Sequence, residues 1–163
     1  MADAPVKHDS NQDIFRGQIF LFIKGKPMAY GISANLDVGT AEIDISNKMV
    51  SGGWEATLPG IKNYTISSES LLTYAKGQLS AEDLLDIQIA GETVDILYGQ
   101  SLVTEQTLTG GKFEPDLSNP YYKGKAFITS FGINSTNGDI AKCSTSLKGS
   151  GALEKGEVTP PTT

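Results

Sequence analysis

Cysteine is almost absent from this chain: Cys143 stands alone among 163 residues. One thiol closes no intrachain disulfide and builds no zinc-finger cluster. Histidine is as scarce, with His8 the sole example, in a polar N-terminal stretch. A nucleophile paired with a histidine base therefore finds no base beside other reactive groups, and triad chemistry is excluded as a reading. Tryptophan also occurs once, at Trp54. Long apolar runs are missing; the longest, Ile19 to Ile23, falls far short of the ~20 residues a membrane-spanning helix needs. Positive charge is in deficit, with 13 Lys and Arg against 19 Asp and Glu, a net charge of −6. An acidic domain repels a phosphate backbone, which disfavours specific nucleic-acid binding but leaves passive contact with DNA open. The first residues contain no apolar core of a secretory signal.

What the chain does have is alternation. Around Ser135-Thr136-Asn137-Gly138 two alternating runs read as a β-hairpin, with Asn-Gly supplying residues that tolerate a positive φ. After that turn Ala141, Cys143, Thr145 and Leu147 fall on one face, and Ile140, Lys142, Ser144, Ser146 and Lys148 on the other. Cys143 is thereby read as a small buried hydrophobe. Residues 17–24 are apolar on both parities, which predicts a central strand buried on both sides. Residues 28–36 predict a second strand, and Ala41, Ile43 and Ile45 alternate with Glu42, Asp44 and Ser46 in a third, with one dry and one acidic face. Trp54, Ala56 and Leu58 alternate next, and residues 61–72 read as a long strand. One helix is expected from Ser80, a capping serine followed by Glu82 and Asp83 where the helix dipole favours acid, with Leu84, Leu85 and Ile87 inward and Gly91 at its end. Val94, Ile96 and Tyr98 form a further strand, and residues 101–120 read as a long connection. The expected organisation is a flexible N-terminal arm (1–13), one mainly β domain (14–153), and a flexible C-terminal tail (154–163). The architecture expected is a β-sandwich or partly closed β-barrel with one flanking helix.

No catalytic, cofactor-binding or metal site emerges. Glu42 and Asp44 are paired carboxylates, but at i and i+2 on one strand they share a face, and a glycosidase needs two carboxylates facing each other across the substrate. Trp54 reads as a core or interface residue before it reads as a sugar platform. No glycine-rich loop precedes a helix in the manner of a phosphate cradle.

Three stretches carry a resemblance: Glu42-Ile43-Asp44-Ile45-Ser46-Asn47-Lys48; the run from Trp54 through Leu58-Pro59-Gly60-Ile61-Lys62 to Tyr64, Ile66 and Ser67; and the closing hairpin from Gly124-Lys125-Ala126-Phe127 to Lys148-Gly149-Ser150-Gly151-Ala152-Leu153. In that order and spacing the chain, from about Gly17 to Leu153, resembles the major tail tube proteins of long-tailed bacteriophages with non-contractile tails. The N-terminal arm and residues 101–120 match no part of the pattern. The resemblance implies a structural virion protein, made in the bacterial host cytoplasm, with no enzymatic activity. It implies hexameric rings of the chain itself, stacked into a tube through which the genome leaves. The implied partners are tail tip, terminator and tape measure proteins, with passive DNA contact and no membrane. A tube protein of a contractile injection or type VI secretion-like device, and an unrelated ligand-binding β-barrel, stay open as alternatives.

Two sites follow as expectations. The loop Asn47, Lys48, Met49, Val50, Ser51, Gly52 and Gly53 puts apolar groups where a polar tip is normal, and its glycines let it settle on a neighbour, so it is the expected contact between rings. An ordinary mobile hairpin tip is the alternative. Glu42 and Asp44 are the expected lumen-facing residues, because an acidic wall lets DNA slide where a basic one would grip it. Lys142 and Lys148 are expected outside or at a subunit contact.

Overall fold

A computed structural model describes residues 4–5, 7–15, 18–49, 52–75 and 78–159. Its elements are α1 (Ser10–Asp13), β1 (Ile19–Ile23), β2 (Lys26–Pro27), β3 (Gly31–Asp44), β4 (Thr57–Leu71), α2 (Ala81–Ala90), β5 (Val94–Thr107), β6 (Gly110–Pro115), β7 (Tyr122–Asn134), β8 (Lys142–Gly149) and β9 (Glu154–Lys155). Every strand pairing is antiparallel. The strand order is β2-β1-β5-β7-β8-β4-β3, with β6 on β5 and β9 on β7.

The sheet curls on itself. Tyr98 on β5 donates its hydroxyl to the Ala34 carbonyl on β3 at 2.8 Å, across the inside of the curl. The Met28 amide donates to Leu21 of β1 at 3.0 Å just before β3 begins. The two ends of the sheet thus approach each other without pairing along their length, which is a partly closed barrel. Inside it Leu21, Ile23, Tyr64, Ile66, Val94, Ile96, Ala126, Ile128 and Leu147 pack with Leu79, Leu84 and Ile87, the last two from α2. The expected mainly β fold with one flanking helix is what forms.

The helix starts and stops where its residues dictate. The Asp83 carboxylate accepts from both the amide and the hydroxyl of Ser80, each at 3.1 Å. Gly91 takes φ 67°, and its amide returns to Gln88, as a left-handed cap residue does. Ala81, Leu84 and Ile87 are buried, whereas Leu85 is exposed, so the inward stripe is shifted from the expected one. Replacing Asp83 with Ala takes the acceptor from both donors of the buried Ser80, and we expect a loss of about 1 kcal/mol. A thermal melt of the isolated subunit measures it.

Four expectations need correction. β1 is not central: it lies next to the short β2 near one end of the order, yet Leu21, Phe22 and Ile23 are fully buried. Leu21 and Ile23 face the core inside the curl, while Phe22, on the opposite parity, is buried outside that core with the Phe20 ring beside it. The expected second and third strands are a single strand, β3, with a register shift near Thr40. Residues 101–120 are mostly not a connection: β5 runs on to Thr107 and turns into β6. The chain turns between β7 and β8 where expected, with Gly138 at φ 82°, but the closing pair is Asn134 with Lys142, so the loop is wider than an Asn-Gly turn. At the C-terminal side β9 pairs with β7, and the Thr159 amide donates to Leu117 at 2.8 Å. At the N-terminal side α1 is one capped turn, with the Asp9 carboxylate accepting from the Asn11 amide.

Candidate assembly surface

β3 and β4 are far longer than the core they cover. β4 pairs with β8 only from Thr65 onward, and Tyr64 is the last buried residue on the way to the tip. From Val38 out to the tip and back to Asn63, no described residue is buried. At ~3.3 Å per residue this arm reaches roughly 30 Å beyond the barrel.

The arm is ordered by its own polar residues. The Ile45 amide donates to Ala56 at 2.9 Å, and the Ala56 amide donates to the Ser46 hydroxyl at 2.9 Å. At the turn, the Asn47 side chain donates to the Ile45 carbonyl and accepts from the Met49 amide, both at 2.9 Å. These Asx-type bonds fix the chain direction locally. Gly52 and Gly53 both have positive φ, at 49° and 95°. Of the expected contact loop, Asn47, Lys48, Met49, Gly52 and Gly53 lie at this tip, all exposed. Val50 and Ser51 lie outside the described residues.

Glu42 and Asp44 are opposite Pro59 and Thr57, and Ile43 between them is opposite Leu58. The acidic pair and the Ile43–Leu58 pair therefore occupy opposite faces of the arm. Both faces are exposed, so the face expected to be dry is wet in the single subunit. The Ser46 amide donates to the Asp44 carboxylate at 2.8 Å, and this bond, helped by the Ser46 hydroxyl, holds the Asp44 pKa below the usual carboxylate value. Two carboxylates on one open strand face have no cleft in which to flank a substrate. Among the described residues no group of three or more His, Cys, Asp or Glu is placed to hold a metal. On β8, Lys142 lies 4.0 Å from Glu69 and Lys148 is exposed. That face is therefore partly neutralised and is not a positive strip.

The apolar content of the arm is high for a solvated surface. Met49 is 94% exposed, Trp54 84% and Ile61 82%, and Ile43 and Leu58 are about half exposed. Trp54 is thereby removed from the core and left with the interface reading. Large apolar residues left exposed in this number on one projection mark it as a candidate association surface. A second projection went unread in the sequence: the β5–β6 hairpin, with Leu108 fully exposed at its tip and Leu102 half exposed on its flank. Its signal was the β-favouring run Leu102-Val103-Thr104 continuing from β5, hidden by the Gly110-Gly111 and proline punctuation that suggests a loop.

Residues 28–155 match the model of a family described as phage tail tube protein. No curated protein sequence matches the chain. Among solved structures, the chain is similar to a chain in the virion of a native gene transfer agent particle (TM-score 0.61, 18% identity, 83% of this chain and 94% of that one). It is similar to a chain in the sheath-tube complex of an extracellular contractile injection system, PVC, in the extended state (0.60, 19%, 90% and 93%). It is also similar to the SPP1 tail tube (0.59, 13%, 86% and 78%). At these identities the structures speak for the fold, and the fold they share is the tail tube fold. The family match sets aside the unrelated ligand-binding barrel, and makes the chain's role structural rather than enzymatic. On the match across residues 28–155, and on a curled antiparallel sheet with one flanking helix and a long projecting hairpin, this chain belongs to the phage tail tube protein family.

Proposed function

We propose that the chain is the major tube subunit of a long non-contractile phage tail, in which hexameric rings stack into a conduit for the genome. The observation that carries this is the β3–β4 arm: a family member holds out an ordered hairpin whose apolar residues have no cover within the subunit. The arm, with Asn47, Lys48, Met49, Val50, Ser51, Gly52 and Gly53 at its tip, makes the contact from ring to ring. Open sheet edges at β3 and β2 supply strand groups for ring closure. The gene transfer agent tail is described with C6 symmetry, which supports six subunits per ring. Tip, terminator and tape measure proteins are the expected tail partners, and the virion is the expected place of work. The described N-terminal residues before 14 act as an arm toward a neighbour, while the described C-terminal residues hold to their own sheet through β9 and Thr159. A second reading, the tube of a contractile injection device, is favoured by the likeness to the PVC sheath-tube complex; a sheath gene beside this one supports it.

Purified protein at high concentration should form rings or tubes visible by negative-stain microscopy and sedimentation. A strict monomer under all conditions, absent also from purified virions by mass spectrometry, overturns the proposal.

The acidic face with Glu42 and Asp44 is assigned to the channel wall, and the Lys142 and Lys148 face to the outside or a subunit contact. Replacing Glu42 and Asp44 with Lys should permit assembly but slow DNA ejection. The delay should grow at low salt, since screening extends only ~10 Å at 0.1 M and ~30 Å at 0.01 M. Ejection kinetics unchanged by the double replacement remove these carboxylates from the wall.

A further inference from the structure

We propose that Trp54 of one subunit seats in a groove at the start of β3 of the next subunit along the tube. The proposal rests on the tube reading and names the surface that receives the arm. The groove has a volume of about 850 Å³ and lies between the first residues of β1, the β2 segment and the length of the β5–β6 hairpin. The rings of Phe20 and Phe113, with centroids 5.7 Å apart, form one wall, and Met28, Tyr30 and Val103 add apolar surface. Lys26 is the one charged residue among the described residues that line it, and it has no ion pair among the described residues.

The arm carries the complement. Trp54 is 84% exposed, and the next residue, Glu55, is likewise without an ion pair among the described residues. A tryptophan brings 150–250 Å² of surface, by far the largest apolar contribution the tip has to make (about that area by general size). With the indole in the groove, Glu55 arrives at the rim that Lys26 occupies.

Position along the strand decides the occupant. The groove includes Gly31, the first residue of β3, whereas Trp54 lies beyond Asp44, the last. The two surfaces are thus separated by the whole strand, on the order of 45 Å at ~3.3 Å per residue. A contact joining opposite ends of identical subunits is heterologous, and its repetition by translation builds an open filament. A second copy of this chain is therefore the partner that fits.

Trp54 is the only tryptophan in the chain, so intrinsic fluorescence reports this contact alone. On tube formation its emission should move to shorter wavelength and its quenching by acrylamide should fall several-fold. Trp54→Ala should raise the concentration needed for tube growth at least ~30-fold, the size of a hot-spot truncation. Lys26→Glu should raise it as well, and the swap Lys26→Glu with Glu55→Lys should restore growth in part. Both positions are exposed, so the monomer's melting curve should stay in place. Tubes whose Trp54 remains red and quenchable overturn the seat but not the tube reading. A blue shift indifferent to Lys26→Glu puts the indole on another surface and overturns the groove. If wild-type protein forms no tube at any concentration, with or without tail-tip extract as nucleator, the tube reading itself fails.

Discussion

Gly149→Ala should be among the most damaging single-methyl changes in this subunit. A Cβ at Gly149 would stand 2.3 Å from the Tyr64 ring, closer than real Cβ contacts come. Tyr64 cannot easily move away. It is 2% exposed within the core, and its hydroxyl donates to the Lys125 carbonyl on β7. From β4 the ring reaches across Gly149 on β8, and a Cβ at Gly124 on β7 would also meet its hydroxyl. The glycines are thus the space in which one aromatic ties three strands together. Overpacking of this kind costs about 1–3 kcal/mol, or a fall of roughly 3–10 °C in Tm for a chain of this size. Tyr64→Phe keeps the ring and removes one of two donors to the Lys125 carbonyl, which retains the Ser150 amide, for a loss of about 1 kcal/mol. Tyr64→Leu opens a cavity and should cost about 3 kcal/mol. In the double variant the new methyl enters space the ring has left, so the combined loss should be at least ~1 kcal/mol smaller than the sum. Additive losses in denaturant titrations of the four proteins would show that the ring and the glycine do not share this space. Tyr121 repeats the arrangement over Gly99 and Gly156, so the device is used twice in the same sheet.

These close approaches were out of reach for the sequence, because alternation gives the facing of a side chain but not what stands opposite it. For β8, facing was enough to give burial even though the partner strand β4 is distant in sequence. Cys143, Thr145 and Leu147 are buried on the face their spacing assigned, and Cys143 meets Ser70 at 2.9 Å across the β4–β8 ladder. The helix was legible for a local reason: a capping residue, an acidic first turn and a terminal glycine act within a few bonds of one another. Depth is another matter. Ile43 and Leu58 are paired as Leu36 and Ile66 are, but an extra residue in β4 near Gly60 puts them on the opposite face of the ribbon, and only the inner pair reaches the core. An apolar residue reads alike whether its cover comes from its own chain or from another copy. Trp54 is the clearest case, since a core and an interface leave the same mark in one sequence. The β5–β6 hairpin failed differently. Gly110-Gly111 and Pro115 are turn formers at a strand start and end, and were read as the body of a loop.

Cutting away the arm should separate assembly from folding almost completely. Thr40 and Lys62 are paired directly across the β3–β4 ladder. Bridging them with Asn-Gly removes the arm beyond that pair, and Asn-Gly suits a tight hairpin turn. Nothing in the described part of the excised segment is buried, and none of it belongs to the core. Tyr64 and Ile66, which do belong to it, remain with their partners Val38 and Leu36. The shortened subunit should therefore keep its circular dichroism and melt within about 3 °C of the intact chain, as surface changes of under ~1 kcal/mol do. Tube growth should behave otherwise. The excised segment carries Ile43, Met49, Trp54, Leu58 and Ile61, and losing two hot-spot residues at ~2 kcal/mol each weakens a contact by roughly a thousandfold. At concentrations where intact protein forms tubes, the shortened one should give monomers or single rings. Single rings would be the more informative product, because they place the arm's contribution along the tube axis and leave ring closure to the sheet edges. Tubes of ordinary length from the folded, shortened protein would instead mean that the arm is an ornament of the tube surface and that the sheet edges or the β5–β6 hairpin hold the stack.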